Sequence, residues 1–148
     1  MTLVLRSLRE RRVPQAANER KSPVPPGWPG SEPEYRVFIA LMRTGRRHPV
    51  DFQYEPRPDG RAFRITGDVI PDFVVTSPHI AIQIQSRYYH GGTAEQRSVD
   101  QYARSVLEGR GIPVYFISED QANTRASYYV RLALIGLGST DPLGVLTA

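Results

Sequence analysis

Four polar residues stand at positions where two predicted β-strands meet. Asp72 lies in an apolar stretch, Gln83 and Gln85 follow eleven and thirteen residues later, and His90 comes next. A carboxylate can bind a hard cation, and an amide oxygen can add a neutral ligand. A loop histidine can protonate a leaving group or position a water molecule. These residue types could therefore hold a metal ion and move a proton, although neither glutamine brings a negative charge or accepts a proton.

Two strands are expected to position these residues. The first is predicted over 69–75 and the second over 79–85, joined by a Thr-Ser-Pro turn. Side chains alternate between the two faces of a strand, so the isoleucines of the second strand form a core face and its glutamines lie on the other. The same alternation predicts that the carboxylate of Asp72 faces the amides of Gln83 and Gln85.

This spacing resembles that of the PD-(D/E)XK nuclease-like superfamily, in which an Asp opens one strand and a Glu-x-Lys sequence closes the next. The similarity is closest to the very-short-patch-repair-endonuclease-like branch. There the second strand runs into a small residue, aromatic residues and a His, as the sequence SRYYH at 86–90 does here. The resemblance covers about residues 31–120. It implies an endonuclease-like site and, if that site is active, Mg²⁺ as its cofactor.

The resemblance also assigns roles to individual residues. Asp72 would be the metal ligand, and His90 would act as an acid or position water. Glu34 on the first helix would assist the metal, or it would only complete a capping box with Ser31 at the start of that helix. Gln83 stands where the second carboxylate is expected, and Gln85 where the lysine is expected. Residues 31–148 contain no lysine that could replace it. The site is therefore predicted to be vestigial and to need no cofactor.

Patterning predicts a mixed α/β (α+β) fold with the order α-β-β-β-α-β and an extra C-terminal helix, and the resemblance implies that this order is a restriction-endonuclease-like core. Residues 1–30 are interpreted as a basic, proline-rich extended arm, 31–136 as the nuclease-like domain and 137–148 as a C-terminal tail. Helices are expected at about 31–44, 93–108 and 120–135, and further strands at 50–55, 61–66 and 112–118.

Composition excludes several classes of site. The chain has 148 residues and no Cys, which excludes disulfides, Cys zinc sites and thiol nucleophiles. It contains no apolar run of about 18 residues, so no membrane span or membrane partner is expected. The first apolar run is too short for a signal peptide. The expected location is the cytoplasm or a particle assembled inside the cell.

The positive charge is concentrated in the arm. The first thirty residues hold six basic and two acidic side chains, whereas the remainder holds thirteen of each. If the chain binds DNA, the arm is therefore the first candidate. The candidate nucleic-acid-binding residues are Arg6, Arg9, Arg11 and Arg12 in the arm and Arg87 beside two tyrosines.

Three functions remain open at this point. The preferred one is a catalytically degenerate nuclease-like module that serves as a structural or assembly subunit, by analogy in a phage-like virion. Its arm and tail would bind other protein subunits through Trp28, Leu143 and Leu146. The alternatives are a nucleic-acid-binding pseudo-nuclease and an active metal-dependent DNA endonuclease.

Overall fold

A computed structural model of the chain describes residues 18–55, 71–85, 104–142 and Val145. Helix α1 spans Glu32–Arg43, strand β1 Phe52–Tyr54, strand β2 Phe73–Thr76 and strand β3 His79–Gln85. Helical residues 104–109, here α2, precede strand β4 at Val114–Ser118 and helix α3 at Glu119–Leu134. The predicted mixed α/β fold and the order α-β-β-β-α-β with a final helix are confirmed. The predicted strand at 61–66 and the first part of the middle helix lie outside the described residues.

The four strands form one mixed sheet in the order β1-β2-β3-β4. β1 pairs with β2, and β2 with β3, in antiparallel fashion, whereas β3 and β4 run parallel. A parallel pair needs a crossover connection, which is where α2 lies. Phe73 is opposite Tyr54 on one side and opposite Ile82 on the other. This register places Asp72 between the end of β1 and the middle of β3.

Helix α1 begins where the sequence predicted. The Ser31 side chain accepts a hydrogen bond from the Glu34 amide, and the Glu34 carboxylate accepts one from the Ser31 amide, which completes a capping box. Gly45 follows the helix with φ of 92°, a left-handed conformation that favours glycine. Helix α3 has an equivalent box formed by Ser118 and Gln121.

The main core lies between one face of the sheet and helices α1 and α3. It includes the fully buried residues Val37, Leu41, Phe52, Phe73, Ile82 and Val130. A smaller cluster on the other face joins Ala81 of β3 and Val114 of β4 to Leu107 of α2. The alternation predicted for the second strand is therefore observed, with its isoleucines in the main core and its glutamines on the opposite face.

Segments at both ends of the domain pack against it. Residues 18–30, called the docked arm, run along α1 and α3 without forming a helix or strand. After α3, Ser139 forms an antiparallel bridge with Phe116 at the outer edge of β4. Among the described helices, none combines the length and apolar composition that crossing a bilayer requires.

Candidate metal site

Asp72 is held between two strands just before β2 begins. Its carbonyl accepts a hydrogen bond from the Glu55 amide at 2.7 Å, and its own amide donates to Gln83 Oε1 at 3.1 Å. Its Oδ2 atom accepts from the Ile84 amide at 2.8 Å. Asp72 and Gln83 are therefore in contact, but the hydrogen bond described for the Asp72 carboxylate is with the Ile84 amide, where the side-chain amides of Gln83 and Gln85 were predicted to face it. The glutamine, however, binds the Asp72 backbone, and its oxygen is already used there.

Three carboxylates converge at this end of the sheet. Oxygen atoms of Glu34, Glu55 and Asp72 all lie within 4.8 Å of one another, and each residue is half-buried. Glu34 comes from the first turn of α1, Glu55 directly follows β1, and Asp72 precedes β2. Because β1 and β2 are neighbours in the sheet, their ends bring Glu55 and Asp72 to the same edge.

Glu55 was not among the residues singled out from the sequence. It follows an alternating strand pattern as one more polar residue, with no motif around it. The structure gives it φ of 43°, a left-handed conformation that is uncommon for a residue other than glycine. Such conformations often occur at functional sites. Glu55 directly precedes the Pro- and Gly-containing stretch 56–60, which the sequence marks as a turn, but nothing in the sequence places its side chain in the site.

Electrostatics favour a proton or a cation at the centre of the cluster. Burial raises the pKa of Asp72 to about 7, the hydrogen bond from the Ile84 amide opposes this shift, and the negative charges of Glu34 and Glu55 add to it. Among the described residues, no cationic side chain lowers this pKa. Asp72 therefore gains a proton more readily than an exposed carboxylate does, and a bound cation would compensate the same negative charges.

Glu34 serves both the helix cap and the cluster. Its Oε1 atom accepts from the Ser31 amide and from the Ser31 hydroxyl, both at 2.8 Å. The sequence suggested either a cap or a role beside the metal site. In the structure the Glu34 carboxylate has both roles, because the capping box with Ser31 also orients Glu34 as a member of the carboxylate cluster.

Tyr54 and Gly30 close one side of the cluster. The Tyr54 hydroxyl is buried near Glu34 and Glu55, yet it forms no hydrogen bond of good geometry within the described part of the chain. Burial, with the charges of Glu34 and Glu55, raises the pKa of this phenol well above its usual value. A Cβ at Gly30 would lie 2.0 Å from Tyr54 Oη and 2.9 Å from Glu34 Oε1. Only a glycine fits here without a shift of its neighbours.

The other predicted site residues divide into two groups. Gln85, at the end of β3, is buried at 8% exposure and lies opposite Ser118. The remaining predicted residues lie outside the described part of the chain, and their roles stay predictions. They are His90 and Arg87 after β3, Arg6, Arg9, Arg11 and Arg12 in the arm, and Leu143 and Leu146 in the tail.

Trp28 packs against its own domain. Its ring centroid lies 4.8 Å from that of Tyr54 and 5.2 Å from those of Tyr35 and Phe38. Its indole Nε1 donates to the Ser31 carbonyl at 2.9 Å. The residue predicted as an anchor for another subunit therefore holds the arm against α1 and β1 of the same chain. Its binding to another subunit stays a prediction.

Comparison with protein-family models, with curated proteins and with solved structures finds no match. The function therefore has to be inferred from the chemistry of the carboxylate cluster.

Proposed function

We propose that the chain is a metal-dependent phosphodiesterase of the nuclease-like type, in which Glu34, Glu55 and Asp72 hold a divalent cation. The observation that supports this function is the convergence of the three carboxylates within 4.8 Å. Three ionised carboxylates at this separation repel one another. A divalent cation would relieve that repulsion and would allow Asp72 to ionise fully at neutral pH.

The residues present fit Mg²⁺ or Mn²⁺. Both ions prefer oxygen ligands, and Mg²⁺ is usually held by one or two carboxylates together with water and substrate phosphate. Glu55 brings the second negative charge that Gln83 lacks. Gln83 has a different task here, since its hydrogen bond to the Asp72 amide holds the backbone of a ligand in place.

When bound, such an ion polarises a phosphoryl oxygen and lowers the pKa of a coordinated water molecule. The protein's own groups orient the ligands around it. The Ile84 amide fixes Asp72 Oδ2, and the Ser31 amide and hydroxyl fix Glu34 Oε1. The Ile84 amide also stabilises the ionised form of Asp72, which is the form that binds a cation.

DNA is the proposed substrate for two reasons. The spacing of Asp72, Gln83 and Gln85 resembles that of a nuclease superfamily, and the first thirty residues carry a formal charge of +4. A basic segment attracts phosphates by releasing counterions, so its contribution depends on salt concentration. The arm would thus supply affinity that the neutral remainder of the chain lacks.

A non-catalytic subunit is the second candidate. It is favoured by Gln83, whose oxygen is used by the Asp72 amide, and by the absence of lysine in residues 31–148. In that case the domain would serve assembly or nucleic-acid binding, and the three carboxylates would be a remnant of an ancestral site.

One set of variants distinguishes the candidates. Mn²⁺ binding is measured by calorimetry, and nicking of supercoiled DNA is followed with Mg²⁺ or Mn²⁺, for the wild type, Asp72→Asn and Glu55→Gln. Glu108→Gln is the matched control, because Glu108 is exposed and pairs only with Arg104 at 3.7 Å among the described side chains. We expect the wild type and the control to bind Mn²⁺ and nick DNA, and both cluster variants to lose both activities.

Other outcomes lead to different conclusions. Mn²⁺ binding without nicking would reject the phosphodiesterase and support the non-catalytic subunit. The metal site itself would be rejected if the wild type does not bind Mn²⁺, or if Glu55→Gln binds Mn²⁺ with the same affinity as the wild type.

A further inference from the structure

Helix α3 is interrupted near its middle. Arg125 has φ of −148° and ψ of 47°, which is not a helical conformation, although helix continues on both sides. Sharp breaks in helices usually have a Pro, a Gly or an inserted group as their cause. The sequence of α3, EDQANTRASYYVRLAL, contains neither Pro nor Gly. A group inserted from outside the helix therefore has to be considered as the cause of the break.

Glu19 of the docked arm occupies the interruption. Its amide donates to the Thr124 carbonyl at 2.6 Å, and its Oε1 atom accepts from the Ser127 amide at 2.7 Å. In a continuous α-helix these two groups would bond within the helix, each to a residue four positions away. Glu19 thus takes up one acceptor and one donor that the break releases, much as a capping residue does at a helix end.

The contacts of Glu19 extend to α1. Its second carboxylate oxygen lies 3.8 Å from Nη1 of Arg43, the last residue of α1. Three residues further along, the Ser22 carbonyl accepts from Nη1 of Arg36. The docked arm therefore connects the two helices that cover the main core, and Glu19 is the residue that reaches both of them.

We propose that Glu19 holds the docked arm against α3, a contact here called the latch, and that the break in α3 results from this contact. With the latch in place, Thr124 and Ser127 bond to the arm and Arg125 is non-helical. With the latch open, the same two groups pair within α3, which becomes one continuous helix, and residues 18–22 leave the domain. A partner that binds this segment in another conformation shifts the balance toward the continuous helix. The latch does not depend on the proposed phosphodiesterase function.

The test uses the full chain with Glu19→Ala. Backbone carbon chemical shifts report the conformation of residue 125, and trypsin reports the accessibility of the bonds after Arg20 and Lys21. We expect residue 125 to acquire helical shifts and the cleavage to accelerate about tenfold, because cleavage follows the population of the open state. Glu108→Ala, the same change at an exposed glutamate of α2 whose ion pair is with Arg104, should leave both readouts at their wild-type values.

A second variant separates the hydrogen bonds from the charge. Glu19→Gln keeps an oxygen that can accept from Ser127 and loses only the charge facing Arg43. We expect residue 125 to stay non-helical in this variant, with cleavage accelerated no more than a few-fold.

Three results would overturn the latch. The first is fast cleavage in Glu19→Ala with residue 125 still non-helical, which would make the break intrinsic to α3. The second is an unchanged cleavage rate in Glu19→Ala. The third applies if Glu19→Ala does not fold, and it is measured by amide hydrogen exchange in the wild type. The latch requires the Ser127 amide to be protected from exchange, so an unprotected Ser127 amide would reject it.

Discussion

Asp72 is the residue of this site whose pKa is raised by its surroundings, so its ionisation costs free energy in the folded protein. It is half-buried and faces two further carboxylates, and among the described groups only the hydrogen bond from the Ile84 amide lowers its pKa. Glu55 gives the cluster its third charge, and its left-handed backbone aims the side chain away from the strand path. At this scale the chemistry depends on individual contacts, and two substitutions probe them directly.

The first prediction concerns pH. The pKa of Asp72 is about 7 in the folded protein and near 3.8 when unfolded. Between these values the folded state holds the extra proton, so this residue makes the protein less stable as pH rises from about 4 to 7. In metal-free buffer, Asp72→Asn should therefore increase the free energy of unfolding at pH 8 by roughly 2 to 4 kcal/mol.

Urea unfolding of both proteins at pH 4 and pH 8 checks this prediction. The difference between variant and wild type should be small at pH 4, where Asp72 is neutral in the folded state and only about half ionised in the unfolded state. A variant that is less stable than the wild type at pH 8 would contradict the predicted sign.

The second prediction concerns Gly30. In Gly30→Ala the new Cβ would overlap Tyr54 Oη and press on Glu34 Oε1, so we expect a loss of about 1 to 3 kcal/mol in the free energy of unfolding. Gly27→Ala is the matched control, because a Cβ there meets nothing within 4 Å. Adding Tyr54→Phe to Gly30→Ala should recover part of the loss, and no recovery would show that the overlap is not its cause.

At the scale of elements, each helix that flanks the main core begins with a capping box, and one of the two boxes also serves the site. The box of α1 fixes Glu34 through Ser31, whereas the box of α3 joins Ser118 to Gln121 away from the carboxylates. Helix initiation and ligand orientation are therefore coupled at α1 and independent at α3.

This difference predicts distinct effects of two similar substitutions. Ser31→Ala and Ser118→Ala should each lower stability by about 1 kcal/mol, the usual cost of losing a serine cap. Only Ser31→Ala should also weaken Mn²⁺ binding, because Glu34 then loses a hydroxyl donor. Calorimetric titration of the two variants checks this, and equal Mn²⁺ affinities would separate the cap from the site.

At the scale of the whole molecule, the carboxylate cluster joins parts of the chain that are distant in sequence. Glu34 belongs to α1, Glu55 follows β1 and Asp72 precedes β2, while the docked arm places Gly30 and Trp28 around them. A cation bound to the three carboxylates therefore stabilises the folded chain, because the unfolded chain does not assemble them.

The corresponding prediction is a metal-dependent melting temperature. Mn²⁺ at one hundred times its dissociation constant should stabilise the wild type by about 2.7 kcal/mol, and excess EDTA should reverse the effect. Glu55→Gln should show little of this shift, and Glu108→Gln should show all of it. Equal shifts in all three proteins would place the bound metal elsewhere.

Local sequence patterns determined much of this protein. Alternation in the 79–85 strand predicted its two faces, and the Ser31 box predicted the start of α1. The same alternation predicted that Asp72 and Gln83 lie within reach of each other on neighbouring strands, but not that the contact would be made by the Asp72 backbone amide. Caps and periodicity are properties of consecutive residues, so they can be recognised without a structure.

Only the tertiary structure decided the composition of the site and the position of the arm. Glu55 joins Asp72 because β1 pairs with β2 and Glu55 itself has a left-handed conformation. The stretch 56–60 marks a turn in the sequence, but no local pattern encodes which strands pair. Docking of Trp28 on its own domain and the break at Arg125 likewise depend on contacts between distant residues. Such contacts form when the packed core brings those residues together, and sequence spacing alone does not specify them.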